Sequence, residues 1–277
     1  MDYYKIKKKF NFQDSLQRCF EYRKSLLNIS QTVPALHLGG ALSCVEILDL
    51  IYFGLMRPNK KKVVDKFIMS KGHSCILQYI ILNKLGIISD KQLNGYCKKD
   101  GILGCHPDYG NPGINASTGS LGHGMGLATG IAQAYKIKKK KSKIFVLISD
   151  GELQEGSTWE AMMMAANLEL DNLVCFLDHN GSQSFGSTKL THPKFYPIIE
   201  KVKSFNWKVS SVNGHSVDYM LDEYSKISKN KMPKFLICNT VKGKGVKFME
   251  NKPIWHYRSP NSEEYKIATQ DLKKINK

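Results

Sequence analysis

The stretch that decides the fold is Lys143-Ile-Phe-Val-Leu-Ile148, which is followed at once by Ser149-Asp-Gly151. A continuous apolar run of this length is typical of a strand that is buried on both faces of a parallel sheet. A second such run covers residues 173–177 and precedes Asp178-His-Asn-Gly181. Ligands bind at the carboxyl ends of the strands in open α/β sheets, so Asp150 and Asn180 are expected to lie side by side at that edge.

Around these two strands, helical and strand patterns alternate along the chain. Apolar periodicity predicts helices over residues 14–27, 43–56, 74–85, 121–137, 155–170 and 217–227, and strands over 67–70, 143–148, 173–177, 207–212 and 235–240. We expect a capping box, Ser43-Cys-Val-Glu46, to open the second helix. The alternation predicts one α/β domain over residues 1–277, with an open parallel sheet and helices on both faces. The polar stretch 261–277 is expected to be a surface tail.

Composition excludes several classes of protein. The hydrophobic fraction of 42% is sufficient for a buried core. No apolar run approaches the ~20 residues of a membrane span, and no apolar segment follows the basic N-terminus as in a secretory signal. The seven cysteines include no Cys-x-x-Cys pair, so we expect free, mostly buried thiols in a reducing cytoplasm.

The formal charge of +17 raises the possibility of nucleic-acid binding. Only four of the 41 basic residues are arginines, whereas base and phosphate recognition usually relies on arginine. The lysines also lie in short runs that suit a solvated surface. We therefore expect no nucleic-acid partner and no membrane partner.

The residues after the two strands suit a metal and a phosphate group. Asp150 offers a carboxylate and Asn180 a carbonyl, and both are hard oxygen donors of the kind that bind Mg²⁺. The step from Asp150 to Gly151 is expected to open a helix, whose first amides favour a phosphate. A single Asp-Gly pair is an ordinary turn, so the prediction depends on the whole unit.

This unit resembles the thiamine diphosphate motif of the transketolase family. The unit is Ser149-Asp-Gly-Glu-Leu-Gln-Glu-Gly-Ser-Thr-Trp-Glu160, with Asn180 30 residues after Asp150. The resemblance extends from about residue 31 to 260 and is closest to the N-terminal subunit of split transketolases. Its other motifs are Leu36-His-Leu-Gly-Gly40, Ser70-Lys-Gly-His73, Gly104-Cys-His-Pro107, Ser117-Thr-Gly-Ser-Leu-Gly-His-Gly124, Asn213-Gly-His215, Val241-Lys-Gly-Lys-Gly245 and Trp255-His256.

The resemblance implies a thiamine diphosphate-binding fold and a role for each matching residue. Asp150, Asn180 and the carbonyl of Ser182 are implied ligands of Mg²⁺, for which Ca²⁺ or Mn²⁺ could substitute. The implied cofactor-binding residues are His73, Gly119, Ser120, Leu121, Asp150, Gly151, Asn180, Lys242 and His256, and the implied catalytic residues are His37, His73, His106, Glu155 and Glu160. The last two belong to an acidic network between paired sites. The other four histidines (His123, His179, His192 and His215) are interpreted as turn or surface residues, and Trp159 and residues 162–164 as helix core.

Three positions depart from the family pattern. Ser149 stands where the motif has glycine, Ser182 where a large aliphatic residue is usual, and Ser216 where an acid is usual. These changes bear on cofactor affinity more than on the fold, because the expected metal contact of residue 182 uses its backbone.

The resemblance also implies a partner. In the family, the glutamate that activates the aminopyrimidine belongs to a pyrimidine-binding domain, and no glutamate here matches it. We therefore expect a separate chain with that domain, a two-plus-two assembly in which this chain pairs with itself, and ketol transfer between sugar phosphates. Alternatives are a deoxyxylulose-phosphate synthase, a 2-oxo acid dehydrogenase component, a non-catalytic scaffold and a basic nucleic-acid-binding protein. The four histidines of the implied site (His37, His73, His106 and His256) suit sugar hydroxyls and argue against the dehydrogenase component.

Overall fold

A five-stranded parallel sheet forms the centre of the computed structural model, which describes residues 10–34, 36–59, 62–184 and 186–275. In chain order the strands are β1 (Lys66–Met69), β2 (Ile144–Ser149), β3 (Leu173–His179), β4 (Lys208–Asn213) and β5 (Lys234–Asn239). Their order across the sheet is β1-β2-β3-β5-β4. All neighbouring pairs are parallel, so every strand ends at the same edge. The predicted α/β class and all five predicted strands are confirmed.

Eleven α-helices occur among the described residues. They are α1 (Phe12–Ser30), α2 (Leu38–Ser43), α3 (Val45–Asp49), α4 (Cys75–Lys84), α5 (Asp90–Asn94), α6 (His123–Ile137), α7 (Gly156–Asn167), α8 (Thr188–Thr191), α9 (Ile198–Ser204), α10 (Val217–Ser228) and α11 (Ser262–Ile275). A π-helical turn, Leu50–Leu55, continues from α3, and short 3-10 turns include Gly72–Ser74, Glu152–Gln154 and Pro253–His256. None of these helices is long and apolar enough to cross a membrane.

The central strands of the sheet are buried on both faces. Phe145 and Leu147 of β2 join a core with α1–α4, α10 and α11, while Ile144, Val146 and Ile148 join a second core with α6, α7 and α9. Alternate residues of one strand therefore belong to different cores, which explains why the strand is a continuous apolar run in the sequence.

Two local predictions are wrong. Residues 261–277 do not form a surface tail: within the described residues, α11 packs against α1 and buries Ala268 and Leu272. Its apolar residues recur at helical spacing, and this amphipathic pattern outweighs the polar composition. Ser43 does not open a helix but lies at the end of α2, where its hydroxyl donates to Asp178 at 2.6 Å. A tertiary contact has replaced the expected capping box.

The beginning of α6 lies close to the end of β1. A Cβ added at Gly124 would collide with the side chain of Ser70, so glycine allows the first turn of α6 to approach the end of β1. The cysteines are all free; five are buried, and Cys97 and Cys105 are exposed.

Candidate functional site

The register of the sheet brings the two predicted loops together. Ser149 pairs with Asp178, so Asp150 and the segment after Asp178 leave adjacent strands at the same level. The Asp150 carboxylate is buried and accepts hydrogen bonds from the amides of Gly181 at 2.6 Å and Asn180 at 3.3 Å. It also lies 3.0 Å from Nδ1 of His179. Asp150 therefore fixes the conformation of the loop that follows β3.

Asn180 is oriented by hydrogen bonds on both ends of its amide. Its Oδ1 accepts from the backbone N–H of Ser182 at 3.0 Å, and its Nδ2 donates to Oδ2 of Asp178 at 3.2 Å. The oxygen of Asn180 thus lies on the side of the loop that carries Ser182. Because an amide oxygen has two lone pairs, one hydrogen bond leaves capacity for a metal.

Asp178 is the centre of a buried polar cluster that the sequence did not reveal. It forms an ion pair with Lys71 and accepts hydrogen bonds from the hydroxyls of Ser43 and Thr240. Lys71 also donates to the carbonyl of Gly40 at 2.9 Å. The Lys71 ammonium lowers the pKa of Asp178 despite burial, which acts in the opposite direction. This ion pair lies directly behind Asn180.

A cavity of about 450 Å³ opens at this edge of the sheet. It brings together most of the predicted site residues: His37, His73, His106, Gly119, Leu121, Gly151, Glu155, Asn180, Ser182, Lys242 and His256. Asp150 lies beneath the wall rather than on it. Ser120 and Glu160 instead line a wider, open groove of about 1130 Å³, which shares His106 and Gly119 with the cavity.

Three histidine rings form one wall of the cavity. The ring centroids of His37, His73 and His256 are 5.2 to 5.6 Å apart. Burial is the main cause that lowers the pKa of His37 to about 4, that of His256 to about 3 and that of His73 well below its usual value. All three rings are therefore neutral near pH 7. A neutral imidazole offers one donor and one acceptor, which suits hydroxyl groups of a sugar.

Lys242 places a cation on the same wall. Its Nζ donates to the carbonyl of Gln183 at 3.2 Å and to Nδ1 of His256 at 3.0 Å. Burial, followed by the charge of Lys71, lowers the pKa of Lys242 to about 8. Lys71 is paired with Asp178, so Lys242 supplies the charge that suits its part of the wall, here called the positive wall, to an anionic group.

Gly151 and Glu155 flank a turn rather than a long helix. Gly151 precedes the 3-10 turn Glu152–Gln154, and α7 begins only at Gly156. The expectation that Gly151 opens a helix is therefore correct only for a single turn. Glu155 is exposed at the start of α7, and Glu160 is exposed one turn later.

Several apolar side chains are exposed on α6 and α7, near the groove. Met162 is buried as predicted, but Met163 and Met164 are about half exposed, as is Leu127 of α6. The interpretation of residues 162–164 as helix core is wrong for the last two. Gly126 and Gly130 on the same face of α6 have no atom within 4 Å of an added Cβ.

The donor set at the sheet edge fits Mg²⁺ in its chemistry. Asp150 and Asn180 supply a carboxylate and an amide oxygen, and the carbonyl of Ser182 belongs to the loop that they hold. The described part of the chain contains no group of three or more His, Cys, Asp or Glu residues suited to a metal. The three expected ligands include only one residue of these types, so they stay a prediction.

Two histidines outside the predicted site have structural partners here. His179 contacts Asp150, and His215 contacts Glu46 at 3.0 Å while accepting a hydrogen bond from the amide of Val241. His215 lies in a turn, as expected, but its side chain is largely buried and contacts two distant parts of the chain. The signal available in the sequence was its position in the motif Asn213-Gly-His215.

Comparisons with known proteins agree with the geometry. Residues 25–272 match the family described as "Transketolase, thiamine diphosphate binding domain". An apulose-4-phosphate transketolase subunit of Phocaeicola vulgatus is 38% identical over 255 residues, which are 90% of this chain and 90% of that protein. The 6-deoxy-6-sulfo-D-fructose transketolase subunit SqwG of Clostridium sp. is 35% identical over 245 residues, or 86% of this chain and 88% of that protein.

The fold is also that of solved transketolases. Transketolase from Campylobacter jejuni superposes with a TM-score of 0.86 at 24% identity over 95% of this chain. The matched region is 43% of the Campylobacter chain, so the present chain spans less than half the length of that enzyme.

Proposed function

The chain belongs to the transketolase family, and we propose that it is the diphosphate-binding subunit of a two-chain transketolase. It would move a two-carbon ketol unit from a ketose phosphate to an aldose phosphate, with thiamine diphosphate and Mg²⁺. The observation that carries the proposal is the shared cavity wall of Lys242, His256, His37 and His73. Residues from distant parts of the sequence meet there beside Asp150.

The anionic end of the cofactor is assigned to the positive wall. Lys242 supplies a charge-assisted hydrogen bond to a diphosphate oxygen, and Gly151 supplies a backbone amide. Asp150, Asn180 and the carbonyl of Ser182 hold Mg²⁺, which neutralises the remaining charge, and Ca²⁺ or Mn²⁺ can take its place. The space beside Gly151 is open. A Cβ added at Gly151 would have only the side chain of Gln183 within 4 Å, at 3.5 Å.

The part of the wall formed by His37 and His73, with His106 nearby in the same cavity, is assigned to the sugar. When bound, thiamine diphosphate supplies the carbon nucleophile and the electron sink for cleavage of the ketose. His37, His73 and His106 orient hydroxyl groups of the substrate and take up or return protons there. The neutral state of His37 and His73 matters, because a neutral imidazole can both accept and donate.

The open side of the cavity is assigned to a second type of chain. Gly119 and Leu121 line the cavity near the groove, and with Ser120 their backbone is proposed to face the aminopyrimidine ring. The activating carboxylate is proposed to come from that separate chain. Several relatives of similar length are themselves named as subunits of a transketolase, which supports a division of this enzyme between chains.

A second copy of this chain is proposed to cover the apolar face of α6 and α7. Leu127 and Met164, each exposed by 41–52%, line the groove with Glu160 there, and the resemblance places Glu155 and Glu160 in an acidic network between paired sites. Two copies with two partner chains form a closed assembly. Such an enzyme of sugar phosphate metabolism, including pentose phosphates, is expected in the cytoplasm.

A mixing experiment tests the proposal. Transfer from a ketose phosphate to an aldose phosphate is measured for this chain, for the candidate partner and for both together, with thiamine diphosphate and Mg²⁺. We expect turnover only in the mixture, and lower turnover at limiting cofactor concentration when Lys242→Ala replaces the wild-type chain. Turnover by this chain alone would contradict the two-chain proposal. Cofactor binding without turnover in the mixture would favour a scaffold, and turnover of pyruvate with an aldose phosphate would favour a deoxyxylulose-phosphate synthase.

A further inference from the structure

A buried charge cluster lies on the far side of the loop that carries Lys242. Glu46 of α3 forms a two-point ion pair with Arg23 of α1, with Nη1 to Oε1 at 2.6 Å and Nη2 to Oε2 at 2.9 Å. The same Oε2 lies 3.0 Å from Nδ1 of His215. Arg23 and Glu46 are each only 7% exposed. None of the three residues lines the cavity.

Both partners of Glu46 bind the backbone of residues 241–245, here called the Lys242 loop. Nε2 of His215 accepts from the amide of Val241 at 2.9 Å, and Nε of Arg23 donates to the carbonyl of Lys244 at 3.1 Å. One hydrogen bond therefore lies before Lys242 in the chain and the other after it. Glu46 contacts both residues that make these hydrogen bonds, His215 and Arg23.

The hydrogen bonds also define the state of His215. A backbone amide can only donate, so Nε2 must carry no proton, and the ring proton of a neutral His215 is on Nδ1. That proton is donated to Glu46. Arg23 and the His215 ring both stabilise the Glu46 carboxylate, whose pKa is lowered to about 2 although burial acts to raise it. The carboxylate is thus ionised throughout the neutral range and holds both partners.

We propose that Glu46 is a positioning residue that, through His215 and Arg23, holds Lys242 in place to bind the diphosphate of the cofactor. The inference rests on the proposed function of Lys242. Two glycines in the Lys242 loop have positive φ, 80° at Gly243 and 101° at Gly245, so the loop depends on external contacts to keep one conformation. A Cβ at Gly245 would lie 3.0 Å from Cδ of Arg23, which shows how closely this clamp approaches the loop.

The chain offers a matched control. Asp49, also on α3, pairs with Arg18 of α1 at 2.7 Å and is equally buried, but its hydrogen bonds to Ser15 and Arg18 do not involve the Lys242 loop. Glu46→Gln and Asp49→Asn each remove one buried acid from the contact between the same two helices. A general loosening of this contact should appear in both variants, whereas a positioning effect on Lys242 should appear only in the first.

The first test is hydrogen exchange in the free chain, which requires neither cofactor nor activity. We expect Glu46→Gln to speed exchange of the amides in residues 241–245 by about tenfold, and Asp49→Asn to leave them unchanged. If Glu46→Gln does not fold, His215→Ala takes its place; it removes the acceptor for Val241 and one partner of Glu46, and it should speed exchange beyond Val241, at Lys242 and Gly243, if the clamp holds the loop. Unchanged exchange in Glu46→Gln, or equal acceleration in both variants, would overturn the proposal.

The second test is a double-mutant cycle with Lys242→Ala. Thiamine diphosphate binding with Mg²⁺ is measured by calorimetry on the mixed two-chain complex. We expect Glu46→Gln to weaken binding roughly tenfold in the wild-type background, as loss of an orienting partner commonly does. In the Lys242→Ala background it should have almost no further effect, because the group it positions is absent. The same loss in both backgrounds would show that Glu46 does not act through Lys242. Absence of ketol transfer would contradict the proposed function but leave the exchange result intact.

Discussion

The Asp150 carboxylate accepts a hydrogen bond of 2.6 Å from the backbone amide of Gly181, on the neighbouring loop. Two further donors, the amide of Asn180 and the ring of His179, point at the same carboxylate. Asp150 therefore has a structural role in addition to its expected role as a metal ligand. It shapes the loop that presents Asn180 and Ser182.

Because of this relationship, replacing Asp150 should have two effects. Asp150→Ala should abolish Mg²⁺-dependent binding of thiamine diphosphate and also lower the free energy of unfolding by about 1–3 kcal/mol, because buried donors lose their acceptor. Calorimetry and denaturant unfolding measure the two effects. Ser184→Ala, on the cavity wall, serves as the control and should change neither. Wild-type cofactor affinity in Asp150→Ala would refute the assignment of the metal ligand.

The charge of Lys242 should give cofactor binding a pH dependence. Its pKa of about 8 means that the side chain is cationic below that pH and neutral above it. The affinity for thiamine diphosphate is therefore expected to fall as the pH rises from about 7 to about 9. His37 and His256, with pKa values of about 4 and about 3, do not titrate in this range.

Two substitutions separate this effect from other titrations. Lys242→Arg keeps its charge and should flatten the pH dependence, while Lys242→Ala should weaken binding by roughly 10- to 100-fold at neutral pH. Lys244→Ala, at a partly exposed position of the same loop, should behave like the wild type. A wild-type pH profile in Lys242→Ala would show that another group is responsible.

The terminal helix should contribute to stability. Leu272 of α11 is buried in the core that includes α1, so Leu272→Ala should lower the free energy of unfolding by about 2–5 kcal/mol. Lys274→Ala, at an exposed position of the same helix, should cost little. Chemical denaturation of both variants decides the point. Equal stability of Leu272→Ala and the wild type would restore the view of this segment as a surface tail.

The exposed face of α6 should govern self-association. Gly130 lies inside α6 with open space beside it, so Gly130→Arg should preserve the fold and favour the helix by up to about 1 kcal/mol. A bulky charge there should nevertheless prevent pairing with a second copy. Sedimentation measures the association, with Tyr219→Arg, at an exposed position of α10, as the control. Undisturbed association of Gly130→Arg would place the contact elsewhere.

The sequence was sufficient for the sheet because its signals are local. The apolar runs of β2 and β3 and the polar residues that follow them are contiguous, and the register then brings Asp150 and the loop of Asn180 together. The buried polar cluster around Asp178 could not be predicted from the sequence. Lys71 and Asp178 are 107 residues apart and form their ion pair in the interior, where no local pattern announces it.

The errors have the same origin. The pattern Ser43-Cys-Val-Glu46 does satisfy the capping rule, but Ser43 finds a stronger partner in Asp178 and Glu46 pairs with Arg23. For both residues a tertiary contact overrides a sound local preference. His215 does lie in a turn, but its partners, Glu46 and Val241, could not be predicted because they are distant in sequence.

The parallel register of β2 and β3 determines where this chain can change in length. Deleting one residue within β3 would move Asn180 back into the place of His179 and turn its side chain to the opposite face. A deletion between α7 and β3 would alter the connection but leave Ser149 opposite Asp178. Insertions and deletions in descendants of this sequence should therefore accumulate in the connecting segments, and the spacing from Leu173 to Asn180 should remain constant even where the spacing from Asp150 to Asn180 drifts.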